Sequence, residues 1–213
     1  MRAHLAPKLA FIALVALGAF VAGCTSASPY MHPRAAPSIT GATVDPAAVP
    51  RFVAPADAAV VVFVRPSDYA RTDKLPIIDE HGRFLGVSTI ESYFAVAMPP
   101  GQHAFVTWDT NHAALTATLA CGRVYYVEVA VYPGFWGTKA QLLAITPRAE
   151  SWTRVAEWLA SADGYDPDPV AGQQWLDQES IPATERVQTA LDAYEDLDKE
   201  DFQARVLYPQ DGR

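Results

Sequence analysis

The run Val60-Val61-Val62-Phe63-Val64 is the strongest constraint on what this chain can become. β-Branched and aromatic residues favour a pleated strand, and with apolar side chains on both faces that strand must be covered from both sides. More short runs of the same texture follow, separated by turn residues. Pro76-Ile77-Ile78-Asp79 leads through His81-Gly82 to Phe84-Leu85-Gly86-Val87, a hairpin pattern. Phe94, Val96 and Met98 share one face before Pro99-Pro100-Gly101 forces a turn. Ala104, Val106 and Trp108 alternate with His103, Phe105 and Thr107, and Leu115, Ala117 and Leu119 alternate with Thr116 and Thr118. After Gly122, one face carries Tyr125, Val127, Val129 and Val131 and the other Tyr126 and Glu128. A turn at Pro133-Gly134-Phe135-Trp136-Gly137 precedes the last run, Leu142-Leu143-Ala144-Ile145. Seven or eight strands spaced in this way over residues 58–147 predict a mainly β fold, an antiparallel sandwich.

Residues 148–213 predict a helical extension. Trp152, Val155, Ala156 and Leu159 recur at helical spacing, over too few turns for a stable isolated helix, so this stripe docks on the sheet. Residues 163–169, rich in Asp, Gly and Pro, form a loop. A second helix starts near Pro182 and lines up Val187, Leu191, Tyr194 and Leu197, and the tail Asp211-Gly212-Arg213 is loose. Upstream, residues 25–57 are rich in Ala, Pro, Ser and Thr without hydrophobic periodicity. Recurrent prolines there predict an extended, poorly ordered tether.

Arg65-Pro66 closing the first strand, the pair Gly82 and Gly86, the turn Pro100-Gly101-Gln102-His103 and the run Cys121-Gly122-Arg123-Val124-Tyr125-Tyr126 belong together. This arrangement resembles a domain of unknown function found in bacterial lipoproteins, similar in layout to the PEGA domain. The resemblance covers residues 58–147 and implies a small Ig-like or PEGA-like sandwich at the cell envelope. It implies no activity, because none of the matching residues is catalytic.

The first 24 residues supply an address. Arg2 and Lys8 precede an apolar run over residues 9–21, short of the about 20 residues that span a bilayer. A charged start, a short apolar stretch and small residues make a secretory signal over residues 1–23. The sequence Val21-Ala22-Gly23-Cys24 resembles the lipobox of bacterial lipoproteins. That resemblance implies cleavage between Gly23 and Cys24, a diacylglyceryl group on the Cys24 sulfur and acylation of the new amine, so that residues 24–57 tether the domain to the bilayer. Thr25, where an aspartate would otherwise stand, resembles the signal for export to the outer membrane.

Charge and chemistry narrow the function. The chain of 213 residues has 16 basic and 24 acidic side chains; without Arg2 and Lys8 the mature protein carries −10, which repels phosphate backbones and anionic lipid headgroups and disfavours a nucleic-acid partner or polybasic membrane binding. With Cys24 consumed, Cys121 has no disulfide partner, and its place between a strand run and Gly122 predicts a small buried hydrophobe rather than a reactive thiol. His81 is expected exposed in its hairpin turn and His103 packed at a strand start. A hydrolase would need both, or His112, to converge with carboxylates. Asp163, Asp166 and Asp168 resemble a calcium loop only superficially, since Pro167 and Pro169 interrupt them. No catalytic residue, metal ligand or cofactor is expected. Phe135 and Trp136 are either an exposed binding tip, suited to stacking on sugar rings, or a tip folded under the Trp152 helix. Trp108, Trp152, Trp158 and Trp175 suit core or docking positions. These features predict a cell-envelope lipoprotein with a non-enzymatic binding or scaffold module, whose partner is an envelope protein bound through the acidic C-terminal helix. The alternatives are a peptidoglycan or surface glycan bound through Phe135, Trp136 and nearby tyrosines, and an envelope hydrolase whose site gathers His81, His103 or His112 with carboxylates.

Overall fold

A computed structural model describes residues 30–33, 49–67, 69–70, 73–135 and 137–213. Gly23, Cys24 and Trp136 lie outside the described residues, and no helix among those described is long and apolar enough to cross a membrane. The chain is mainly β. Its strands are β1 (Met31–Pro33), β2 (Ala59–Arg65), β3 (Leu75–Asp79), β4 (Phe84–Ser88), β5 (Ser92–Met98), β6 (Gly101–Trp108), β7 (His112–Leu119), β8 (Val124–Gly134), β9 (Gly137–Ile145), β10 (Asp163–Pro167) and β11 (Val206–Leu207). The helices are α1 (Val155–Ser161), α2 (Pro169–Leu176), α3 (Ala183–Glu195) and α4 (Lys199–Gln203).

Two sheets form. One has the order β1-β10-β5-β2-β8-β9 and the other β11-β7-β6-β3-β4. The alternation seen in the sequence decides which residues face between them. Val61 and Phe63 from β2 and Tyr125, Val127 and Val129 from β8 share one core with Ile77, Phe105 and Leu115 of the second sheet. The Phe63 ring lies 5.1 Å from Phe94, roughly parallel, and meets Phe105 edge-on at 5.3 Å. The opposite face of β2, Val60, Val62 and Val64, is covered by Val155, Trp158 and Leu159 of α1. Every residue of β2 is therefore buried, as its two apolar faces require. On the second sheet, Val187, Ala190 and Tyr194 of α3 join the same core as Val106, Trp108 and Ala114.

Several expectations need correction. The sheets are mixed rather than purely antiparallel, because β2 pairs in parallel with β8, β10 with β5, and β11 with β7. Residues 30–33 are not tether: β1 pairs with β10, and Tyr30 and Met31 are buried in the main core. Val49, Phe52 and Ala54 likewise pack against the α1 cluster. The supposed loop at 163–169 is β10 followed by Asp168, whose carboxylate accepts the Val170 and Ala171 amides and caps α2. With β1, β10 and β11 joining the sheets, the β architecture extends beyond residues 58–147 in both directions.

The tail is not loose. The backbone of Arg213 exchanges two hydrogen bonds with Val124, and its guanidinium donates to the Tyr126 hydroxyl at 2.6 Å. Cys121 is exposed rather than buried: the Cys121-Gly122 turn, with Gly122 at φ +69°, turns the thiol away from the core.

Candidate functional site: an aromatic hairpin tip

The β8–β9 hairpin is the longest in the protein, paired without interruption from Tyr126↔Ile145 to Gly134↔Gly137. Its neighbour β2 ends its pairing at Val64↔Glu128, so the distal half of the hairpin runs past the rest of the sheet. At its end Phe135 is 87% exposed, with Tyr132 half-exposed below it. Of the two readings for this turn, Phe135 follows the exposed one and does not fold under α1.

The base of the tip is held by side chains from neighbouring turns. Asn111 donates its amide to the Ala140 carbonyl at 2.9 Å and accepts the Ala140 N–H at 2.8 Å, mimicking one more strand pair. The Thr138 hydroxyl donates to Asp73 at 2.7 Å and also meets Asp109, while the Thr110 hydroxyl donates to the Thr138 carbonyl. Asp73 itself is placed by Arg65, a fully buried residue. The Arg65 guanidinium donates to the carbonyls of Tyr69, Ala70 and Asp73 at 2.7–2.9 Å and so shapes the loop after β2. Gly137 sits at φ +129°, and a Cβ there would lie 2.9 Å from the Thr110 methyl. An apolar side chain is thus presented to solvent on a braced support.

A second feature is a cleft of about 390 Å³ at the edge of the second sheet, lined by Glu80, Gln102, His103, Thr116, Thr118 and, below, Leu207. His103 opens β6 as expected, with its side chain nearly buried. Its Nδ1 lies 3.1 Å from a Glu80 oxygen and its Nε2 2.9 Å from the Pro99 carbonyl. The other Glu80 oxygen accepts the Ala104 N–H at 3.1 Å. Both Glu80 oxygens and the His103 Nδ1 thus join the β3–β4 turn to β6, while Nε2 is held by the β5–β6 turn. His81 is exposed in that turn, as expected, with Nε2 3.5 Å from Glu80. His112 lies at the far end of the β6–β7 pair, opposite Trp108, where burial and Arg186 push its imidazole below the ordinary range. The structure thus gathers His81 and His103 on one carboxylate and leaves His112 elsewhere.

The aspartates of residues 163–168 do not converge on a common point, and among the described residues no group of three or more His, Cys, Asp or Glu side chains is placed to hold a metal. The Asp168 carboxylate is held below its usual range, chiefly by the Ala171 amide, with help from the Val170 amide and from His32. Trp108 and Trp158 are buried, while Trp152 and Trp175 are partly covered and pack against the two clusters. A half-buried carboxylate that the sequence did not single out is Glu128, on the α1 side of β8. Burial pushes it above the usual carboxylate range, against the opposing pull of Arg154. Neither the protein-family models nor the curated proteins compared with this chain match it.

Proposed function

We propose that this chain is a bacterial envelope lipoprotein, anchored through diacylated Cys24 in the outer membrane, that works as a non-enzymatic binding or scaffold module. The anchor rests on Val21-Ala22-Gly23-Cys24 behind a charged start and a short apolar run. The two-sheet core, with its Gly82-bearing hairpin and its Pro-Gly-Gln-His entry to β6, is in keeping with a PEGA-like or Ig-like sandwich elaborated by extra strands and helices. The observation that carries the binding role is the 87% exposure of Phe135 on a braced hairpin. Exposing a Phe side chain forgoes about 1.5–3 kcal/mol of burial, a cost that a binding surface explains.

Two partner classes follow from two surfaces. The acidic surface of α3 and α4, with Glu185, Asp192, Glu195, Glu200 and Asp201 exposed, suits a basic protein partner. The aromatic tip suits a glycan, because a sugar ring stacks on an aromatic face. The test is crosslinking in intact cells followed by membrane capture and mass spectrometry, alongside sedimentation with cell-wall sacculi. A Cys24→Ala chain should leave the membrane fraction; its retention there would remove the lipid anchor. Specific capture of one envelope protein supports the scaffold role, whereas cosedimentation that Phe135→Ala weakens supports the glycan. Absence of both would overturn the binding role.

A further inference from the structure

The start of β1 and the aromatic tip stand at opposite ends of the same sheet. β8 runs parallel to β2, with Val124 level with Val60, so both strands begin at one pole. β5 runs against β2, β10 runs with β5, and β1 runs against β10, which makes β1 parallel to β2 as well. Through the registers Pro33↔Tyr165, Tyr165↔Phe94 and Phe94↔Phe63, Met31 falls near the level of Val61. Tyr30, the first described residue after Cys24, therefore lies at the pole where β2 and β8 start. The Phe135 tip is at the other end, ten residues further along β8, or about 33 Å at strand spacing.

The leash is short. Met31 is buried in the core, and the Tyr30 carbonyl accepts the Asp168 N–H at 2.7 Å. The Tyr30 ring lies against Trp175 at 5.1 Å. Only residues 25–29 separate this fixed point from Cys24, a span of at most about 20 Å. That is less than the length of β8.

The surface of this pole carries both signs of charge. Arg51 and Arg213 line one groove, Arg123 reaches the Gly212 carbonyl, and Arg148 lies 3.3 Å from Asp211. Facing carboxylates on the same segments are Asp57 and Glu150, with Asp211 already tied to Arg148 and the Tyr208 N–H. Asp166 and Asp168 lie toward β1, the latter capping α2.

We infer that the domain stands upright on the bilayer, with the pole of Tyr30, Cys121 and Arg213 against phospholipid headgroups and the Phe135 tip directed away toward a partner across the compartment. This orientation rests on the lipid-anchor reading. It assigns two surfaces, one for lipid and one for the partner, and separates them by the length of a strand.

Cys121 provides the test, because it is an exposed thiol at the lipid-facing pole. The full acylated chain is placed in vesicles of phosphatidylethanolamine and phosphatidylglycerol that carry headgroup-nitroxide lipid. A fluorophore on Cys121 is compared with one on a Cys121→Ser, Phe135→Cys chain. Quenching should be several-fold stronger at 121 than at 135, and inserting about 20 Gly and Ser residues after Ser28 should reduce it at 121. Equal or stronger quenching at 135, or an insertion without effect, overturns the orientation. The mass of the Cys24 peptide, measured on the same sample, reports acylation separately. A chain without lipid sinks the anchor, while an acylated chain quenched at its tip sinks only the orientation.

Discussion

Gly172→Ala tests how the corner that holds β1 is built. In an exposed helix this change stabilises by up to about 1 kcal/mol, because alanine is the better helix former. Here α2 lies directly on β4, and a Cβ at position 172 would fall 2.1 Å from Cδ1 and 2.2 Å from Cε1 of Phe84. The Phe84 ring has little room to retreat, since Tyr30 meets it edge-on at 5.5 Å and Trp175 at 6.5 Å. Overpacking costs about 1–3 kcal/mol, and a contact as close as 2.1 Å puts this one in the upper part of that range, so it outweighs the propensity gain and leaves a net loss of about 1–2 kcal/mol. For a domain of this size that corresponds to a fall in Tm of about 2–8 °C by calorimetry or circular dichroism. In a Phe84→Leu background the clash is relieved, and the second alanine substitution should cost less than in the parent. A Gly172→Ala protein as stable as the parent, or a cycle with no coupling between the two sites, would refute the close packing of α2 on β4.

Arg213→Ala should lower stability by about 1–2 kcal/mol in urea denaturation, since it removes a charged donor from Tyr126 and a guanidinium 4.6 Å above the Tyr126 ring. An unchanged midpoint would return the tail to the loose state expected from sequence. Glu128→Gln should raise Tm at neutral pH and leave it unchanged at low pH. Burial raises the folded-state pKa, so the native form holds its proton longer, and the parent loses stability as pH climbs from the ordinary glutamate range through the raised value. Parallel Tm-against-pH curves for parent and variant would contradict this. Phe135→Ala should leave the unfolding free energy within about 0.5 kcal/mol of the parent while weakening partner or sacculus binding; a large loss of stability would mean that the ring is part of the core.

Strands whose partners are revealed by local alternation were legible in the sequence, and elements stabilised by distant partners were not. The two-faced apolar run of β2 and the single-faced alternation of β7 placed inner and outer residues, and on β8 the Tyr125, Val127 and Val129 face was found, although the opposite face with Tyr126 is buried under α1 as well. β1 has three residues, too few for a period, and its partner β10 lies more than a hundred residues away. The two residues of β11 are equally silent. α2 carries Pro169 at its start and Gly172 inside, so its propensity is poor; the Asp168 cap and the docking on Phe84 form it instead. The tail residues Asp211 and Arg213 looked solvated because their partners, Arg148 with the Tyr208 amide and Val124 with Tyr126, are invisible locally. Of the candidate tip, its position between two strands was legible. The bracing by Asn111, Thr138 and the Arg65 loop required the fold.

The same non-local contacts constrain how a partner engages. Recognition by strand addition needs an open edge with a run of available N–H and C=O groups. On β4, Gln173 Oε1 accepts the Phe84 N–H at 2.9 Å and the Met31 sulfur lies 3.4 Å from the Val87 nitrogen. On β9, Asn111 pairs both backbone groups of Ala140, the Thr110 hydroxyl meets the Thr138 carbonyl, and the Ala204 carbonyl accepts the Ala144 N–H. The remaining edges, β1 and β11, are three and two residues long, and β1 ends in a proline. Among the described residues, these contacts limit backbone pairing along β4 and β9, and the short β1 and β11 offer little edge; the distal part of β8, past Glu128, is the stretch that β2 leaves uncovered. Along the covered margins contact comes from side chains, and the aromatic hairpin tip presents one beyond the last β2 pair, at the end of the sheet opposite the start of β1.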